Sequence, residues 1–225
     1  MLTINVFTIF PERFKDFLEF TFIKKAIELK KVQFNFINIR DFAEDKHRQV
    51  DDIPYGGGSG MVMKVDVLYK ALTSVTNTDF VYLTPAGKLF DQNMAKDFST
   101  KQSLSFVCGS YEGIDERIYE LVPGERVSIG SFVTNSGELP AMTIIESIVR
   151  LLSGVLGNEA SLDEESFSHG LLEYPHYTRP DDFMGLKVPD VLKSGNHGEI
   201  GEWRREQSIA LTEEYRRDLL GDDKC

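Results

Sequence analysis

The sequence predicts an α/β layer structure built on a mainly parallel sheet. Three observations carry the prediction. β-type apolar runs alternate with helix-period segments through the first two-thirds of the chain. Helix starts are marked by proline or a capping acid in the first turn. Three of the apolar runs end in turns of small residues, where loops of a parallel sheet gather.

The elements follow in order. LTINVFTI (2–9) reads as a strand, and PERF (11–14) opens a helix with proline where a missing N–H costs nothing. FIKKAIELKK is helical, and VQFNFINI then alternates apolar and polar as a strand does. A glycine-dense loop, DIPYGGGSGMVMK, leads into the helix VDVLYKAL. DFVYLTP is a strand predicted to end at Pro85, and Asp91 is placed to cap the helix after KLF. SLSFVC is a buried strand, followed by GSYEGIDERIYEL. A β-type run over 127–133 meets a small polar turn and Gly137. A long amphipathic helix then opens at Glu138 and Leu139, with Pro140 in its first turn and Ile144, Ile148 and Leu151 on one face.

From Ser153 the periodicity is lost. SGVLGNEASLDEESFSHG reads as a linker, and turn-rich segments then precede the helix EWRREQSIALTEEYRRDLL. The predicted organisation is an α/β domain over 1–158, a flexible linker over 159–172 and a small helical domain over 173–225.

Composition narrows the function. A chain of 225 residues buries a substantial core, as one large domain or two small ones. No apolar run reaches membrane-spanning length, and MLTINVFTIFPERF lacks the early positive charge of a secretory signal. The two cysteines, Cys108 and Cys225, are far apart, which suits a reducing cytoplasm better than a disulfide framework. The net charge of −11 argues against broad, sequence-blind binding to phosphates. It leaves room for an RNA held by local arginines, and Arg179, Arg204, Arg205, Arg216 and Arg217 lie in the last quarter. A solvated mixed-charge face explains them equally well.

The motifs are unequal in strength. PYGGGSGM (54–61) fits neither the Walker spacing nor GxGxxG after a strand, and reads better as a loop or lid. The stronger signal is the set of turns YLTPAG (82–87), CGSYEGID (108–115) and IGSFVTNSGE (129–138). There Gly109, Gly113, Gly130 and Gly137 would let backbone reach an adenine or ribose directly, and Tyr111 and Phe132 could lie against a flat base or a cation. Any one of these turns could be only a turn; three in succession favour a ligand.

DIPYGGGSGMVMK, CGSYEGIDER, the ELPAM helix start, EYPHYTRP and VPDVLKSGNHGEIGEWRREQSI together resemble the bacterial tRNA (guanine-N1)-methyltransferase (TrmD) family of the SPOUT superfamily. The resemblance runs from INVFTIFPERF to RRDLL. It implies a C-terminal trefoil knot in the α/β domain, an exception to ordinary chain topology. It also implies a homodimer with shared active sites, S-adenosylmethionine as methyl donor, and tRNA guanosine 37, preceded by another guanosine, as substrate. Expected cofactor contacts are Tyr82, Leu83, Thr84, Pro85, Gly109, Tyr111, Gly113, Ile129, Gly130, Ser131, Phe132, Val133, Thr134, Gly137 and Pro140.

The resemblance also assigns chemistry. The family's base is an aspartate in an Asp-Ser-Phe context; here the triplet is Glu165-Ser166-Phe167, so the role falls to Glu165, with Asp163 or Glu164 as substitutes. Without the resemblance this run would be a solvated acidic stretch. Arg150 stands at the family's essential arginine and suits charge developing on O6; otherwise it is a cation near a helix end. Glu112 would accept from purine N–H groups, and His176, Tyr177 and Arg179 would touch RNA, though PHYTRP could equally be a rigid turn. The knot loop reads GSFVTNSGE where the family commonly has Gly-Asp-Tyr-Val-Leu-Thr-Gly-Gly-Glu. Residues 159–169 are expected to order over the site when RNA arrives. No cluster has metal-ligand spacing, and Mg²⁺ is compatible with the sequence but not indicated by it. The rival readings are a catalytically impaired RNA-binding relative and, from another class, a nucleotide-dependent oxidoreductase; the missing GxGxxG after the first strand weighs against the latter.

Overall fold

The computed structural model describes residues 1–156 and 164–221. The chain divides into two compact units, Met1–Gly157 and Asn158–Cys225.

The first unit is organised by β1 (Leu2–Thr8), whose side chains alternate between two buried faces. Leu2, Ile4 and Val6 join one core; Phe7 joins the other. A 3-10 turn (Pro11–Phe14), α1 (Lys15–Leu18) and α2 (Thr21–Glu28) then pack Phe14, Phe17, Ile23 and Ala26 into the first core. β2 (Val32–Asn38) returns beside β1 in parallel register, with Leu2 opposite Val32. A short antiparallel pair, β3 (Asp51–Asp52) with β4 (Val62–Met63), brackets the glycine-dense loop. Helix α3 (Val65–Thr73) seals the second core with Val67, Leu68, Ala71 and Leu72.

β5 (Asp79–Leu89) runs past Pro85, where the sequence predicted its end. Leu83 and Lys88 both pair with Val127, so residues 84–87 leave the ladder as an excursion and the strand then rejoins it. Pro85 has no N–H to give a neighbouring strand, so it is accommodated in the excursion rather than ending the strand. α4 (Gln92–Ser99) is capped by Asp91, which accepts from the Met94 N–H at 2.8 Å, as predicted. β6 (Ser103–Cys108), α5 (Ile118–Leu121), β7 (Glu125–Ser128) and α6 (Glu138–Val149) complete the unit. The strand order is β2-β1-β6-β5-β7, parallel at every step.

β7 ends at Ser128, short of the predicted 127–133 run. The Ser128 hydroxyl both donates to the Gly130 carbonyl at 3.1 Å and accepts from the Gly130 N–H at 3.3 Å. That local turn takes Ile129 out of the sheet despite its β propensity. α6 buries Ala141, Ile144, Ile145, Ile148 and Val149 on the first core, while Leu151 lies beyond the helix and is only half-buried.

In the second unit, β8 (Asp182–Phe183) and β9 (Leu186–Lys187) form a small hairpin, and α7 (His197–Tyr215) is the main helix. α7 begins five residues before the predicted start, because Asn196 accepts from the Gly198 and Glu199 N–H groups and caps it. Part of the predicted linker is tied down here: the Leu172 N–H donates to Thr212 Oγ1 at 2.9 Å, and the Glu173 N–H to Ser166 Oγ at 2.9 Å. Asp163 and Cys225 lie outside the described residues.

Ile144 is fully buried between α6 and the sheet. Ile144→Ala should cost about 2–5 kcal/mol, read as a lowered midpoint in urea unfolding followed by circular dichroism.

Candidate active site

Beside the mid-strand excursion of β5 and the carboxyl ends of β6 and β7, three segments line a pocket of about 170 Å³. The walls are the 83–85 excursion, the 109–114 loop and the 127–137 segment, with Pro140 from the first turn of α6.

The walls meet through backbone. The Gly137 N–H donates to the Gly109 carbonyl at 2.8 Å, and Ser110 and Ser136 form an isolated antiparallel bridge. A side chain at Gly137 would bring a Cβ within 2.8 Å of the Cys108 Cα and 3.1 Å of the Gly109 nitrogen, so only glycine lets the segment lie so close. Cys108, beneath it, is completely buried, and burial pushes its thiol well above the ordinary value, with Glu138 adding to the shift. It stays a protonated core group rather than a nucleophile.

The glycine-dense loop is fastened to the same wall. The Met63 N–H donates to the Gly113 carbonyl at 3.0 Å, and the Glu112 and Asp115 N–H groups donate to the Met61 and Met63 carbonyls. Gly60, at φ +84°, lies so close to Glu112 that a Cβ there would fall 2.2 Å from its Oε1. Glu112 is exposed at the pocket wall with this loop against it. Below it, the Arg117 guanidinium holds the Asp115 carboxyl under the usual range, pairing at 2.6 Å.

Most predicted cofactor positions converge here: Leu83, Thr84, Pro85, Gly109, Tyr111, Gly113, Ile129, Gly130, Phe132, Val133, Thr134, Gly137 and Pro140 all line the pocket. Two do not. Tyr82 points into the second core, fully buried, and its hydroxyl donates to the Val122 carbonyl at 2.6 Å. Successive strand residues face opposite ways, so Leu83 takes the pocket side and Tyr82 the other. Ser131 is exposed at the turn, outside the lining, while the Phe132 ring folds against Gly130.

The sequence reading missed Ser110, Asn135 and Ser136, which also line the pocket. The Ser110 hydroxyl is buried without a hydrogen-bond partner among the described residues, an orphan that a polar ligand would satisfy. Its neighbours Gly109 and Tyr111 drew attention, while a serine inside a turn carried no signal of its own.

Arg150 is the half-buried C-cap of α6, at the end of the helix opposite the pocket. The remaining candidates belong to the second unit. Glu165 is half-buried; Glu164 accepts from the Tyr174 hydroxyl at 2.8 Å and pairs with Arg204 at 3.7 Å. His176 Nε2 lies 2.9 Å from Glu173 Oε1, Tyr177 stands 6.3 Å from the Trp203 ring, and Arg179 is exposed. Among the described residues no cluster of His, Cys, Asp and Glu could hold a metal, and no helix is long and apolar enough to cross a membrane.

A parallel sheet with a loop-lined pocket beside its strand ends defines an α/β protein with a candidate small-molecule site. Comparison with known proteins makes this specific. The family model for tRNA (guanine-1)-methyltransferase TrmD matches residues 2–222, and the chain belongs to that family. It is 53% identical to a tRNA (guanine-N(1)-)-methyltransferase of Lactobacillus johnsonii over 98% of this chain and 92% of that one. A Clostridioides difficile protein of the same description is 50% identical over 96% of each chain, and one from Bacillus pumilus 48% identical over 100% and 93%.

Gly137 has φ −81° and ψ −4°, angles that alanine adopts freely. Gly137→Ala should therefore test close approach alone, lowering stability by about 1–3 kcal/mol in thermal unfolding.

Proposed function

We propose that the chain transfers a methyl group from S-adenosylmethionine to N1 of guanosine 37 in tRNA, working in the cytoplasm as a homodimer with shared active sites. Family membership makes it a methyltransferase that acts on a tRNA guanine; the position, the assembly and the residue roles are this reading's own. The observation that carries it is the pocket beside the β5 excursion and the ends of β6 and β7, where the TrmD-like loops converge.

The residues present suit the methyl donor. Adenosine presents a flat base and a ribose with paired hydroxyls. The backbone groups of 83–85, 109–113 and 129–137 match those polar edges, and the Ser110 hydroxyl needs a partner. When bound, S-adenosylmethionine supplies an electrophilic methyl on a sulfonium. The protein's own task is to make the guanine receptive. Guanine N1 carries a proton, so a carboxylate must remove it, and Glu165 takes that role. Negative charge then develops on O6, where the always-charged guanidinium of Arg150 stabilises it. Glu112, at the pocket wall, accepts from the purine N–H groups and orients the base. His176, Tyr177 and Arg179 engage the RNA around it.

A physical argument supports the shared site. α6 starts at the pocket with Gly137 and Glu138 and ends at Val149. Twelve helical residues extend about 18 Å, so Arg150 lies far from the pocket its own helix begins. An arginine so placed serves the chemistry if it reaches the pocket of a second copy. Phe132, Val133 and Leu139 stay exposed around the start of α6, apolar area that a partner would cover. The trefoil knot that the resemblance implies would lie in this region, where 129–137 meets the β6 end.

Labelled S-adenosylmethionine incubated with a tRNA transcript bearing guanosines at positions 36 and 37 should label N1 of the second; a transcript with adenosine at 37 should stay unlabelled. Unlabelled guanosine 37 would favour the catalytically impaired reading. Glu165→Gln and Arg150→Ala should each reduce transfer by about 10²–10⁴ without changing the sedimentation of the protein. Mixing either with a pocket variant such as Gly113→Val should restore activity in the mixed dimer, because one complete site reassembles there. Independent sites within each chain would give no restoration.

A further inference from the structure

Glu138 opens α6 with a carboxylate that water hardly reaches, its side chain being only 2% exposed. A buried carboxylate persists only where partners replace its hydration. Oε1 accepts from Thr8 Oγ1 at 2.6 Å; Oε2 accepts from Arg13 Nη1 at 3.0 Å and from the Ser136 hydroxyl. Arg13 Nη1 also donates to Ser136 Oγ at 3.1 Å, and its guanidinium sits 3.9 Å from the centre of the Phe10 ring. The first turn of a helix favours this negative charge.

These partners come from distant parts of the first unit. Thr8 ends β1, Arg13 lies in the 3-10 turn after it, and Ser136 belongs to the pocket wall. Glu138 itself does not line the pocket. The wall it holds is thin: Ser136 bridges to Ser110, Gly137 bonds to Gly109, and Thr134 Oγ1 donates to the Ser136 carbonyl at 2.9 Å. Without the carboxylate, Ser136 keeps these local links and the bond from Arg13, and Arg13 loses the charged partner that fixes it.

We propose that Glu138, together with Arg13, is a positioning residue for the methyl-donor pocket: it pins the 134–137 wall to the end of β1 and so sets the spacing into which the donor fits. The proposal rests on the reading of that pocket as the methyl-donor site. It assigns Glu138 no contact with either substrate. Because Glu138 acts on one wall of one pocket, its loss should weaken the donor and leave the tRNA interaction alone.

The test compares wild type with Arg13→Ala, Arg13→Lys, Glu138→Gln and Ser136→Ala. Each is measured for S-adenosylhomocysteine binding by calorimetry, for KM toward each substrate, for kcat and for Tm. The Arg13 side chain is 46% exposed, so removing it empties no core. Arg13→Ala should raise the Kd for S-adenosylhomocysteine and the KM for S-adenosylmethionine about tenfold, with KM for tRNA, kcat and Tm nearly unchanged. Arg13→Lys should recover much of the loss, because a cation again meets Oε2. Glu138→Gln should act in the same direction, and Ser136→Ala more weakly; if Glu138→Gln fails to fold, the Arg13 and Ser136 variants decide. Unchanged donor binding in Arg13→Ala overturns the positioning role. So does a parallel rise of both KM values with a falling Tm, the mark of general destabilisation. Wild-type protein that does not bind S-adenosylhomocysteine overturns the pocket reading itself, and this inference with it.

Discussion

The site depends on one steric constraint, the contact of Gly137 with the end of β6. Its N–H reaches the Gly109 carbonyl at 2.8 Å, with no room for a Cβ above Cys108. That closeness puts the start of α6 directly over the strand ends, and so closes the third wall of the pocket. The helix can sit there because its buried face, Ala141 through Val149, matches the core beneath. Pocket and core are therefore two consequences of where one segment lies. A displaced Gly137 would open the pocket and lift Ile144 and Ile148 from the sheet together.

The polar groups around this contact follow one logic. The glycines among the lining residues, Gly109, Gly113, Gly130 and Gly137, bring main chain to the pocket wall. Two carboxylates just behind the lining are paired: Glu138 with Thr8, Arg13 and Ser136, and Asp115 with Arg117. The Ser110 hydroxyl, buried without a hydrogen-bond partner among the described residues, stands out against that background. Burial of the Cys108 thiol keeps the one cysteine of the first unit chemically quiet beneath the site.

Much of this was legible in the sequence, for local reasons. Asp91 announced its helix because a carboxylate before QNMAKDF has N–H groups to accept, and Pro140 marked a first turn. The pocket loops were legible because glycines cluster after apolar runs. What stayed hidden depends on tertiary neighbours. Pro85 looked like a strand end, but β5 steps around it and rejoins β7, which only the partner strand reveals. Ile129 to Val133 had strand composition, and the Ser128 hydroxyl turned them out of the sheet. Tyr82 was one residue from the pocket side, and the strand's alternation sent it into the core. Glu138 looked like an ordinary acid at a helix start; its burial requires Thr8 and Arg13, some 125–130 positions away. The family resemblance supplied roles for Arg150 and Glu165 that periodicity and spacing could not.

The most direct measurement is a crystal structure of the protein with S-adenosylhomocysteine. Adenosine held by the main chain of residues 83–85, 109–113 and 129–137, beside the Ser110 hydroxyl, is the predicted result. Adenosine bound elsewhere on the molecule, with those three walls unchanged around solvent, would contradict the account.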